Sequence, residues 1–310
     1  MKLRFGLTCT FAAVFALAAA PNGLAWDSVT KIAMNADPSS LQPGPFDDDY
    51  AAAAAVQTPE QSGGGGIFGQ MKQAMAAGQG LQQMMQSGMA EKHYVAGSKE
   101  RTDSVAAQTA TITDCAARTI TTLDLRRKTY RVVSMDQPST PSGGGGGSKP
   151  SVSDNGARVA ISVTNTALGA RDVGGQPTNG YRADMTIVVT DSSGESHTQN
   201  ADMLGYYSSI ARPAPNCFAV VPMLGGGGPS SMMGGYARLM QALSAAGTNS
   251  RFSIKQSGPT LPLGKLSMYD AVTFGTEGRG ATFVTERGHV HAIGADDPAF
   301  SIPSDFTQQQ

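Results

Sequence analysis

The most persistent pattern along the chain is alternation. Between residues 92 and 136, β-branched and apolar side chains trade places with polar ones at period two, in runs at 93–95, 100–104, 109–113, 119–123 and 129–133. Breaks fall every eight to ten residues, at Ala96-Gly97-Ser98-Lys99, at Asp114-Cys115-Ala116-Ala117 and across the charged stretch 124–128. Successive side chains of a strand point to opposite faces, so this pattern predicts a half-buried antiparallel meander. The same period returns at 157–164, where Val159, Ile161 and Val163 share a face, and at 181–190, 195–200, 251–255 and 268–274. Residues 281–287 and 289–293 read as a closing hairpin across Gly288, while 201–212 fits either a strand or a helix.

Helical spacing occurs twice. Met71, Met75, Leu81, Met84, Met85 and Met89 recur at intervals of three and four within residues 67–90, which places a methionine stripe on one face. Gly78 and Gly80 cost about 1 kcal/mol each relative to Ala, so one straight helix and two shorter ones are equally consistent. Residues 236–246, with Leu239, Met240 and Leu243 on one side and Gly247 as a stop, form the second segment. The stripe has three readings: packing on the sheet, an adaptable lid over an apolar cavity, or a thioether site for Cu(I). Two helices with about ten short strands predict an α+β fold.

Composition refines the domain picture. Glycine is abundant, 38 residues, and bunched, which marks 63–66 as a hinge and 138–150 and 224–235 as glycine-rich insertions. Residues 26–66, broken by Pro38, Pro43, Pro45 and Pro59, read as a flexible leader, and 67–307 as a single domain. Residues 1–25 carry the marks of a signal peptide: Lys2 and Arg4, then an apolar core at 11–20 too short to span a bilayer, then small residues ending at Ala25. Cleavage before Trp26 is expected, with cleavage after Ala20 the less favoured site because Pro21 follows. No later stretch is apolar enough for a membrane helix, so the expected location is the periplasm or the exterior. In such a compartment Cys115 and Cys217 form an even pair, and either one disulfide or two separate buried thiols would satisfy them. Lys+Arg 23 against Asp+Glu 24 gives no basic surface for nucleic acid.

One resemblance adds to this picture. Gly97, Lys99, Arg101 and Asp103, then Ile112 and Asp114, then Leu123, Asp124, Lys128 and Tyr130 resemble bacterial envelope proteins of unknown function related to the LolA/LolB-type outer-membrane lipoprotein carriers. Gly180-Tyr181-Arg182 leading into Met185-Thr186-Ile187-Val188-Val189 resembles their next landmark, and Phe300, Ile302, Pro303 and Phe306 their ending. The resemblance implies an antiparallel, strongly curved, open β-barrel-like sheet whose apolar hollow is covered by helices. Met71, Met75, Met84, Met85, Ile120, Tyr130, Ile161, Val163, Ile187, Leu239 and Leu243 are then the candidate cavity residues.

Candidate chemistry is sparse. His289 and His291 project to one face of a strand, but two ligands fall short of a zinc site unless His93 or His197 joins them. No Gly-x-Ser-x-Gly elbow and no phosphate-binding Gly-Lys-Ser/Thr ending occurs. The expectation is therefore a non-enzymatic binding protein without cofactor, whose partner is a lipid, an acylated protein or another hydrophobic ligand. The alternatives are a structural or interaction module holding an envelope protein and, less favoured, a Met/His metal binder. Oligomeric state is left open by the sequence.

Overall fold

The computed structural model describes residues 23–34, 40–56, 85–136, 158–190, 193–213, 252–276 and 279–309. They form thirteen strands: β1 (Gly23–Met34), β2 (Met89–Ala96), β3 (Lys99–Ser104), β4 (Thr109–Asp114), β5 (Thr119–Asp124), β6 (Thr129–Ser134), β7 (Arg158–Val173), β8 (Gln176–Thr190), β9 (Ser196–Ala211), β10 (Phe252–Ser257), β11 (Lys265–Thr276), β12 (Arg279–Ile293) and β13 (Thr307–Gln308). All belong to one sheet in the order β10-β7-β8-β9-β11-β12-β1-β2-β3-β4-β5-β6-β13. Neighbours are antiparallel except at the two ends, where β10 runs parallel to β7 and β13 parallel to β6.

This corrects the expected α+β, barrel-like architecture with covering helices: the sheet is mixed and not closed. A single α-helix, α1 (Phe46–Ala55), occurs among the described residues. Pro45 precedes it, and Asp47, Asp48 and Asp49 occupy its first turn, where carboxylates offset the positive end of the helix dipole. It rests on β1 and β2, with Phe46 and Ala53 against Val29 and Ala90. The methionine segment does not supply a cover from its described end, because Met85 is exposed and Met89 already opens β2. Met71, Met75 and Met84, with the whole of 236–246 including Leu239 and Leu243, lie outside the described residues.

Two further readings give way to tertiary pairing. Residues 26–34, taken as the head of a flexible leader, belong to β1, an interior strand between β12 and β2. Its apolar and hydroxyl side chains are buried on both faces, so it lacks the one-sided alternation that marks a surface strand. Gly23, Leu24 and Ala25 are paired on both sides, so cleavage before Trp26 would remove three residues from the strand, whereas cleavage after Ala20 leaves it whole. Likewise the hairpin expected across Gly288 is one continuous strand. The Phe46 ring occupies the space a Cβ on Gly288 would need, so this glycine serves close approach of α1 and not a turn.

The meander obeys a ten-residue rule. β3, β4, β5 and β6 start at Lys99, Thr109, Thr119 and Thr129, each six residues long. Gln108, Arg118 and Lys128 close the intervening turns with φ of 51°, 53° and 51°. Asp114 Oδ1 accepts from the backbone N–H groups of Ala116 and Ala117, and Asp124 Oδ1 accepts from Arg126 and Arg127 in the same way. These side-chain bonds offset the cost of the left-handed residues Arg118 and Lys128 in the last two turns. The core of this half is small: Ala110, Ile112 and Leu123, closed by Tyr130 and Phe306.

The other half is held by longer-range contacts. Ile161, Val163, Ala183, Met185, Ala201, Met203 and Val272 form one apolar layer, with Leu261 added from a loop. A second joins Trp26 and Val95 to Leu266, Met268, Tyr269, Leu204 and Tyr206. A buried ion pair between β11 and β12 adds to them. Arg287 Nη1 donates to Asp270 Oδ2 at 2.6 Å and to the Ser267 carbonyl at 3.1 Å, with both charged side chains less than a tenth exposed.

Candidate ligand groove

An open groove of about 300 Å³ lies on the β7–β9 part of the sheet, lined by Gln42, Leu168, Arg182, Asp202, Met203, Leu204 and Tyr206. Backbone irregularities build it. In the β7–β8 ladder the register slips between Ala167 and Gly169, which leaves Leu168 as the extra residue of a bulge. Gly169 takes φ of +91°, a conformation that glycine adopts at little cost. Leu168 is accordingly exposed. Opposite the bulge, Gly180 pairs with Tyr206, and a Cβ at Gly180 would sit 2.7 Å from the Tyr206 ring and 3.1 Å from Leu168. A glycine here therefore lets the aromatic ring lie across β8 and meet the bulged leucine.

Charge borders this apolar floor. The Arg171 guanidinium lies 6.0 Å from the Tyr206 ring centroid, and its Nη1 donates to Gln42 Oε1 on the rim. Arg182 Nε donates to Asp184 Oδ1 at 2.7 Å, and its Nη2 stands 3.8 Å from Asp202 Oδ1. Arg182 pairs with Leu204 in the β8–β9 register, and Asp184 with Asp202 two residues along, so the charged and apolar residues share a face. The loop carrying Gln42 is anchored through Gly44, whose N–H donates to both Glu286 carboxylate oxygens at 3.2 Å. Burial pushes the Glu286 carboxyl above its ordinary range.

The sequence-predicted candidates fall elsewhere. Ile161, Val163 and Ile187 meet in one filled apolar layer, Tyr130 packs beside Phe306, and Ile120 joins neither. None of them lines the groove. Of the groove residues only Gly180 and Arg182 stood out in the sequence, as parts of a turn motif. Leu168, Arg171 and Tyr206 carry no local signal, since a cross-strand register brings them together.

The histidines do not converge. His289 sits at a bulge in β12 with φ of 52°, its Nδ1 2.8 Å from Asp27 Oδ2 and its Nε2 2.9 Å from Asp47 Oδ1. Those two bonds, Asp27 foremost, hold its pKa above the ordinary imidazole value. His291 Nδ1 is 2.9 Å from the His289 carbonyl oxygen, and His197 is exposed beside Glu195. Among the described residues no three such side chains are placed to hold a metal ion.

His93 stacks on Trp26, with Ser28 Oγ 2.9 Å and Glu91 Oε2 3.5 Å from the same Nε2. In a hydrolytic triad the acid orients the other ring nitrogen, which here faces Thr102 at 3.4 Å. Ser28 is also fully buried. The cluster therefore closes the sheet interior. Cys115, in the β4–β5 turn, is disulfide-bonded, and Cys217 lies outside the described residues. No helix among the described residues is long and apolar enough to cross a membrane.

Neither protein-family models nor curated proteins give a match to this chain. Nothing in those comparisons ties it to the LolA/LolB carriers.

Proposed function

We propose that the chain is an exported, non-enzymatic binding protein for a small hydrophobic ligand, held in the groove between the Leu168 bulge and Tyr206. One observation carries this reading: a bulge, a left-handed glycine and a glycine without space for a Cβ cooperate to open an apolar floor beside two arginines. Bulges that re-aim a side chain are common at functional sites. A volume of about 300 Å³ is at the small end of ligand pockets, so one short acyl chain or ring system fits and a diacyl lipid does not. Export is supported by the basic, apolar and small-residue succession at 1–25. Native mass spectrometry of the mature protein, with solvent extraction, is expected to show a co-purifying amphiphile. A clean apoprotein that takes up no added amphiphile would end the proposal.

A second reading, an interaction module of the cell envelope, is favoured by the far end of the sheet. β13 pairs with Thr129 and Tyr130 alone, and Val132 and Val133 beyond it are exposed. An extended segment of an envelope protein added along β6 would use this edge. On that reading Val132→Pro, which removes a backbone donor, abolishes partner binding and leaves groove binding intact.

A further inference from the structure

Building on the groove as a ligand site, we propose that its ligand is an anionic amphiphile, its apolar part lying on Leu168, Leu204 and Tyr206 and its carboxylate or phosphate end held by Arg182 and Arg171. Two guanidinium groups border one apolar floor. Arg182 commits Nε to Asp184, but its Nη2 is 3.8 Å from Asp202, too far for a hydrogen bond. Among the described residues its two terminal nitrogens therefore donate to no protein acceptor. Arg171 gives Nη1 to Gln42 and leaves its other N–H groups similarly without one. A guanidinium presents a planar fork that takes carboxylate or phosphate through paired N–H bonds. A neutral or cationic end group cannot use those donors in this way.

Asp184 and Asp202 limit the attraction, because each repels the incoming anion. Short charge-assisted bonds against that repulsion set the expected preference over a neutral head group at roughly tenfold. The bulge explains why the site is amphiphilic: it turns Leu168 outward on the strand that carries Arg171 three residues later.

Isothermal titration of the mature full chain with four probes of one tail length tests this: decanoate, decyl phosphate, decanol and decyltrimethylammonium. At least one of the two anions is expected to bind roughly tenfold tighter than decanol, and Arg182→Gln to bring it to the affinity of decanol without changing decanol itself. Both residues are partly exposed, so Arg182→Gln and Arg171→Gln should fold, which circular dichroism checks. Equal binding of decanol and both anions, or an anion preference unchanged in both variants, overturns the anion assignment and leaves a hydrophobic-ligand site standing. Binding of none of the four overturns both readings. Decanoate without decyl phosphate points to a free fatty acid, and the reverse to a phosphate head group.

Discussion

Strands β3 to β6 are six residues long and pair with their sequence neighbours, save for the two-residue β13 on the outer edge of β6, whereas β7 to β9 run fifteen or sixteen residues and β1 meets β12 across a separation of 255. Both regions rest on the same two-residue alternation. They differ in what fixes the register. In the meander the turns carry their own instructions, a left-handed closing residue in all three between β3 and β6 and, in the last two, an aspartate accepting two backbone N–H bonds. In the long-stranded region the register depends on partners far away in sequence, on a buried Arg287–Asp270 pair and on glycines that tolerate close approach. The groove arises where register slips, at the Leu168 bulge, and the meander has no such slip between its strands. Regular repeats make a stable wall, and irregularity in a long ladder makes a site.

Asp270→Ala should give the largest effect, because it leaves a buried guanidinium without its carboxylate. Urea unfolding should show a loss of about 3–5 kcal/mol. A loss as small as that of an exposed pair, below about 1 kcal/mol, would mean the long-stranded half does not rely on this ion pair. Gly180→Ala comes next: the added methyl meets the Tyr206 ring at 2.7 Å, so overpacking of about 2 kcal/mol is expected together with weaker groove binding. Unchanged ligand affinity in that variant would detach Tyr206 from the site.

In the meander, Asp124→Ala removes the acceptor for two turn N–H groups that water can replace. About 1 kcal/mol is expected, and a larger loss would show the turns to be less self-sufficient than their geometry indicates. The smallest effect is in pH dependence, at the latch between α1 and the sheet. His289 holds its proton more tightly folded than unfolded, so its contribution is complete below the unfolded value, pH ~6.5, and is lost as pH rises through the folded value. Around it stand Asp27 from β1 and Phe46, Asp47 and Tyr50 from α1. Glu286, also raised, acts with the same sign but from the carboxylate range, so His289→Gln should flatten only the upper part of the stability profile. A profile above pH ~6.5 identical in wild type and variant would remove His289 from the latch.

Much of the meander was legible from residue order. Four of its six-residue strands begin at positions foreseen within one residue, because alternation and turn chemistry act over a few residues. The ten-residue rule itself is visible in Thr109, Thr119 and Thr129, in Asp114 and Asp124, and in Gln108, Arg118 and Lys128, but gains its meaning only once the turn geometry is known. The groove was nearly silent. Leu168 reads as one more apolar residue in a long strand, and Tyr206 sits in a stretch that fitted a helix as well as a strand. Pairing of β9 with both β8 and β11 made the choice.

Residue order alone determined where the chain alternates, where the short turns fall and that the charges balance, since these depend on neighbours within a few residues. Tertiary structure decided that 26–34 is an interior strand, that β12 runs straight through Gly288, that His289 bridges two aspartates and that a bulge faces a tyrosine from two strands away. Each of those outcomes depends on which distant strand lies alongside, and backbone pairing between remote segments is selected by the burial and hydrogen bonding of the whole sheet.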